Sequence, residues 1–145
     1  MPPIRLSVLG RIARGSGRIT PGPASVEDLR TEVTQHLEWI LNSRPGYRSL
    51  PPELQRTVLD FGLPDFKVSA LDEVRVRDRI ADLLVQTVAA FEPRLSDIHV
   101  IIDPGIGKDL RFRVHLSALL QVEPEPEPFH MDSLLDLATH EVIVV

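Results

Sequence analysis

A chain of 145 residues, 43% hydrophobic and 26% charged, has the size and balance of one soluble globular domain. It contains no cysteine, which excludes disulfides, thiolate nucleophiles and cysteine-ligated zinc, and no segment approaches the ~18 apolar residues that cross a bilayer. The formal net charge of −5 argues against general nucleic-acid binding, which draws on a basic surplus to neutralise phosphates.

The charge is uneven. Arg5, Arg11, Arg14 and Arg18 fall in residues 1–22, a stretch without acids, which reads as a basic, flexible arm ahead of a single domain over 23–145. No continuous apolar core follows the N-terminal charge, so a secretory signal is not expected. The expected compartment is the cytoplasm, without membrane insertion.

Ser25 is a suitable N-cap, Glu27 and Asp28 fill a first turn, and Val26, Leu29, Val33, Leu37, Ile40 and Leu41 recur at helical spacing. A helix is expected from Ser25 to about Asn42, broken by Arg44-Pro45-Gly46. Pro51 and Pro52 can open a short second helix ending near Phe61-Gly62-Leu63-Pro64. A third helix is expected from about Leu71 to Phe91, with Leu71, Val74, Ile80, Leu83, Leu84, Thr87, Val88 and Phe91 on its apolar stripe. Asp72, Arg75, Asp78, Arg79 and Asp82 make its solvated face, and Pro93 stops it.

From Ser96 the period falls to two, with Ile98, Val100 and Ile102 alternating against His99, Ile101 and Asp103. A loop over 103–109 leads to a long strand, Leu110 to Val122, whose buried face holds Phe112, Val114, Leu116, Ala118, Leu120 and Val122. The alternation Glu123-Pro124-Glu125-Pro126-Glu127-Pro128 predicts an extended, polyproline-like connector. Phe129 to Leu137 reads as a strand, Ala138 to Glu141 as a turn and Val142 to Val145 as a terminal strand. Helices first and strands second make an α+β domain, with N-terminal helices packed on one face of a C-terminal antiparallel β-sheet.

Three segments carry a family resemblance. Leu37-Glu38-Trp39-Ile40-Leu41-Asn42-Ser43-Arg44-Pro45-Gly46 is similar to an "LLNTRRG" helix end, Leu59-Asp60-Phe61-Gly62-Leu63-Pro64-Asp65 to a "YGLPD" turn, and Phe91-Glu92-Pro93-Arg94-Leu95 contains a Glu-Pro-Arg motif. Together, in this order, they resemble the phage-tail baseplate wedge ("lysozyme-like") family, and the opening Leu6 to Ile12 resembles the "SLLDRI" start of its type VI secretion branch, TssE. The resemblance implies a non-enzymatic subunit, without cofactor or metal, that joins the wedge proteins TssF and TssG. It further implies a first layer for the TssB–TssC contractile sheath, with TssK as a further partner. Ser43 and Pro45 depart from the family pattern, which bears on loop contacts there.

Within that resemblance Glu92, Pro93 and Arg94 are the candidate partner-binding or junction motif. Glu92 and Arg94 flank the helix stop with opposite charges and can pair internally or reach a partner. The candidate sheath-template strand is Val142, Ile143, Val144 and Val145. Two alternatives carry other chemistry. One is a regulatory binding protein similar to the anti-adaptor that protects a stress sigma factor. The other is a peptidoglycan hydrolase, with Glu92 as general acid and Asp65 or Asp97 as its second carboxylate. Gly105-Ile106-Gly107-Lys108 lacks the first glycine of a phosphate loop, because position 102 is Ile102, and His140-Glu141 lacks the second histidine of a zinc-protease helix. His99 and His115 fall on neighbouring strands, where an exposed polar face accounts for them.

Overall fold

A computed structural model describes residues 25–46, 51–55, 61–64, 73–103 and 111–145. The arm over 1–22, most of the second helix expected after Pro52, and the loop after Asp103 lie outside the described residues.

Helix α1 spans Val26–Asn42. Its start is set by a reciprocal capping box: the Ser25 hydroxyl accepts from the Asp28 N–H at 3.1 Å, and the Asp28 carboxylate accepts from the Ser25 N–H at 2.8 Å. Leu29, Val33, Leu37, Ile40 and Leu41 are buried. Pro52–Leu54 form one 3-10 turn. Helix α2 runs Glu73–Phe91, and Ile80, Leu84, Thr87 and Val88 face the core. Val74, expected on that stripe, is 55% exposed, whereas Val76 in the same turn packs against the core: at 3.6 residues per turn Val74 stands about 120° round the helix from Ile80, on the solvated side.

Four strands follow: β1 Leu95–Asp103, β2 Arg111–Leu120, β3 Glu127–Asp136 and β4 Glu141–Val144. They form an antiparallel sheet in the order β1-β2-β3-β4. The two-residue period puts Ile102, Val114, Leu116, Ala118, Leu120, Phe129, Met131, Leu135 and Val142 on the face under the helices. The sequence therefore yields an α+β domain with two helices on one face of a C-terminal sheet.

The proline-rich segment differs from its expectation. Bends occupy Glu123–Glu125, and β3 already includes Glu127 and Pro128. Pro128 is tolerated there because ladder bonding to β2 comes from the alternate residues of β3, so the missing N–H falls on the side away from β2.

Candidate functional site

The three motif segments meet at one end of the helical layer. Pro93 interrupts α2, the chain turns, and β1 begins at Leu95. At that turn Glu92 is fully buried. Its carboxylate is held by Arg94 in a fork: Nε donates to Oε1 at 2.8 Å and Nη2 to Oε2 at 2.9 Å. The Arg94 main-chain N–H adds a third bond to Oε1 at 3.2 Å. Two residues of α1 complete the network. His36 Nδ1 lies 2.6 Å from Glu92 Oε2, and Arg94 Nη1 donates to Glu32 Oε1 at 2.9 Å. Glu32 and His36 are four apart and so share a helix face.

Burial pushes the Glu92 carboxyl up, but hydrogen bonds from Arg94 and His36, and the charge of Arg94, outweigh it and lower its pKa from 4.5 to about 2. The hydrogen bond to Glu92 in turn raises Arg94. A glycosidase general acid needs the reverse, a carboxyl kept protonated near neutrality and open to substrate. Glu92 is ionised, enclosed and saturated with donors. Asp97 sits on β1 with φ of +50°, paired at 3.0 Å with His99; Asp65 lies outside the described residues.

The other two motifs touch through main chain. Ser43 ends α1 and its carbonyl accepts the Leu63 N–H at 2.9 Å. Gly62 has φ of +121°, and a Cβ there would stand 2.3 Å from the Ser43 carbonyl oxygen. Phe61 packs edge-on against Phe91 with ring centroids 5.2 Å apart, and 6.2 Å from the His36 ring. Helix end, turn and Glu-Pro-Arg segment are thus one physical node. Ser43, one of the two departures from the family pattern, donates its hydroxyl to the Trp39 carbonyl at 2.7 Å.

Val142–Val145 lie at the opposite side of the sheet from β1. Val142 is buried, Ile143 is 46% exposed and Val145 81% exposed. The Asn42 side chain bonds the Val142 main chain twice, donating from Nδ2 to its carbonyl and accepting its N–H through Oδ1, both at 2.8 Å. Arg44 donates to the carbonyls of Leu41 and Ser43 and to that of His140 in the turn before β4. Sequence reasoning gave no role to Glu32, His36, Asn42 or Arg30. The one legible signal was the four-residue spacing of Glu32 and His36 beside an apolar stripe; the rest depends on tertiary pairing.

On the outer face of the sheet His115 bridges Asp132 at 2.7 Å through Nδ1 and Asp103 at 3.1 Å through Nε2. The two carboxylates stand on opposite edges of the ring, so they stitch β1, β2 and β3 together rather than converge on one ion. Among the described residues no group of three or more such side chains is placed to hold a metal, and no helix is long and apolar enough to cross a membrane.

The motif residues thus build an enclosed ion-pair network beneath a two-helix layer packed on one face of a small antiparallel sheet. The sequence profile of the family described as baseplate wedge protein gp25 matches residues 27–125, and the chain belongs to that family. Among solved structures, a chain of the baseplate complex from the type VI secretion system shares the fold, with a TM-score of 0.51 at 18% identity over 74% of this chain and 94% of that chain. No curated protein matches.

Proposed function

We propose that this chain is a TssE-type structural subunit of a type VI secretion baseplate, acting in the cytoplasm without catalysis. The family assignment over residues 27–125 carries the reading, and the fold shared with a type VI baseplate chain supports it. In this reading the helical layer joins the wedge proteins TssF and TssG, and a sheet edge takes a strand of the TssB–TssC sheath, with TssK nearby. Trp39, 49% exposed on α1, is a suitable wedge anchor, since buried aromatics dominate interface energetics. The Glu92–Arg94 pair is turned inward and serves the junction that sets the angle between helices and sheet.

Affinity capture of the tagged chain from cells carrying the whole system tests this. TssF and TssG should co-purify, and Trp39→Ala should reduce their recovery at least tenfold while circular dichroism stays unchanged. Recovery of a response-regulator-type adaptor in their place would establish the anti-adaptor reading instead. Sugar release from peptidoglycan by the purified chain would establish a hydrolase.

A further inference from the structure

The two edges of the sheet are not equivalent. In an antiparallel ladder each residue directs its N–H and C=O either toward its neighbour or away from it, alternately. Val145 donates to the Asp132 carbonyl at 2.9 Å, so Val145, Ile143 and Glu141 face β3, whereas Val142 and Val144 face outward. Helix α1 closes part of that side. Asn42 takes both main-chain groups of Val142. Twelve residues earlier on the helix, Arg30 Nη1 donates to the Pro128 carbonyl at 2.7 Å, and Pro128 has no N–H to offer. Arg44 holds the His140 carbonyl before β4. Among the described residues, none of these bonds reaches the outward groups of Val144 on β4 or of His130 on β3.

At the other edge the register is fixed by the Gln121 N–H, which donates to the Arg94 carbonyl at 2.8 Å. Gln121, Leu119, Ser117, His115 and Arg113 therefore face β1. Their partners past the bulge, His99, Ile101 and Asp103, face back, leaving Val100 and Ile102 directed away from β2. Among the described residues no side chain bonds either of them. Strand β1 is nine residues long against four for β4. Its outer row holds Ile101, 63% exposed, with the Asp97 and Asp103 side chains 65% and 56% exposed at the two ends.

We infer that a strand added to this subunit pairs with β1, and that Asn42 and Arg30 of α1 obstruct the β3–β4 edge. The occupant is an extended segment of another subunit, with an aliphatic residue beside Ile101 and a lysine or arginine within reach of Asp97 or Asp103. This rests on the strand-addition reading above and names the edge. It also changes the obvious test. Proline at Ile143 would remove a bond of the subunit's own ladder, because that N–H faces β3, and so would report on folding rather than on docking.

The experiment places a photo-crosslinking amino acid at Ile101 or at Ile143, both outer-face positions with exposed side chains, in cells assembling the TssB–TssC sheath. Position 101 should give at least tenfold more sheath adduct than position 143. Asn42→Ala, or Asn42→Asp should the first not fold, should bring the two within about threefold by freeing β4. Equal or greater adduct at 143 in the unmodified background would overturn the edge assignment and leave strand addition standing. No sheath adduct at either position, with sheaths forming normally, would overturn strand addition itself, whereas recovery of the wedge proteins would still report the baseplate role.

Discussion

Two sets of charges lie on opposite sides of the same sheet and behave differently. At the helix-to-sheet junction, Glu92 is shut away from water and bonded by Arg94 and His36. On the outer face, His115 meets Asp103 and Asp132 with all three side chains substantially in solvent, and Arg111, itself well exposed, meets the less exposed Asp136 at 3.3 Å. Contact distances are similar; surroundings are not. Water screens the outer pairs and competes for their hydrogen bonds, so they contribute little. Inside, nothing replaces a lost partner, and the residual charge bears the whole cost of desolvation. Distance alone says nothing about which pair holds the fold.

Removing the junction arginine gives the sharpest contrast. Arg94→Ala is expected to destabilise the domain by about 3 kcal/mol, since it strands a buried carboxylate, whereas Arg79→Ala, on the exposed face of α2, should stay within about 0.5 kcal/mol. Urea unfolding of both variants measures the difference. Equal midpoints would mean that water reaches Glu92, and the distinction between the two regions would collapse.

Acid titration probes the same group without mutation. A carboxyl lowered from 4.5 to about 2 favours the folded state fully above its unfolded value, and that contribution disappears as pH falls from about 4.5 through about 2. The shift corresponds to about 3 kcal/mol. Glu92→Gln should flatten this limb of the stability profile, and an unchanged limb would assign the acid sensitivity elsewhere.

The outer face should show the smallest effect, with the opposite sign. Hydrogen bonds from Asp132 and Asp103 raise the His115 pKa. Its contribution is therefore complete below the unfolded histidine value of about 6.5 and lost as pH rises through the folded one. An imidazole chemical-shift titration should find that raised value, and about 0.5 M salt should move it back toward the unfolded one by screening both carboxylates. His115→Gln should move the unfolding midpoint far less than Arg94→Ala does.

Much of this was legible in local sequence. Ser25 with Asp28 three residues on announced the start of α1, Pro93 the end of α2, and the period-two runs the strands, because each signal acts over a few residues of backbone. Val74 was misjudged because an apolar residue was counted onto the stripe although, at 3.6 residues per turn, it stands about 120° from Ile80, while Val76 in the same turn takes the core side. Pro128 was misjudged because its tolerance depends on which side of the ladder its nitrogen meets, a matter of register. The motif residues Glu92 and Arg94 could be named, yet whether they paired inward depended on Glu32 and His36, about sixty residues away. The same holds for β4. Its apolar run marked a strand, but only the Asn42 bonds, spanning 100 residues, reveal which of its groups are already occupied.

The Gly62 contact limits how this sequence can drift. A side chain at 62 would strike the carbonyl oxygen of Ser43, an atom that every amino acid presents at that position. No replacement at 43 can make room, so second-site suppression is closed to this pair in a way that it is not for two side chains in collision. A selection from libraries randomised at both positions should return glycine at 62 whatever residue accompanies it at 43.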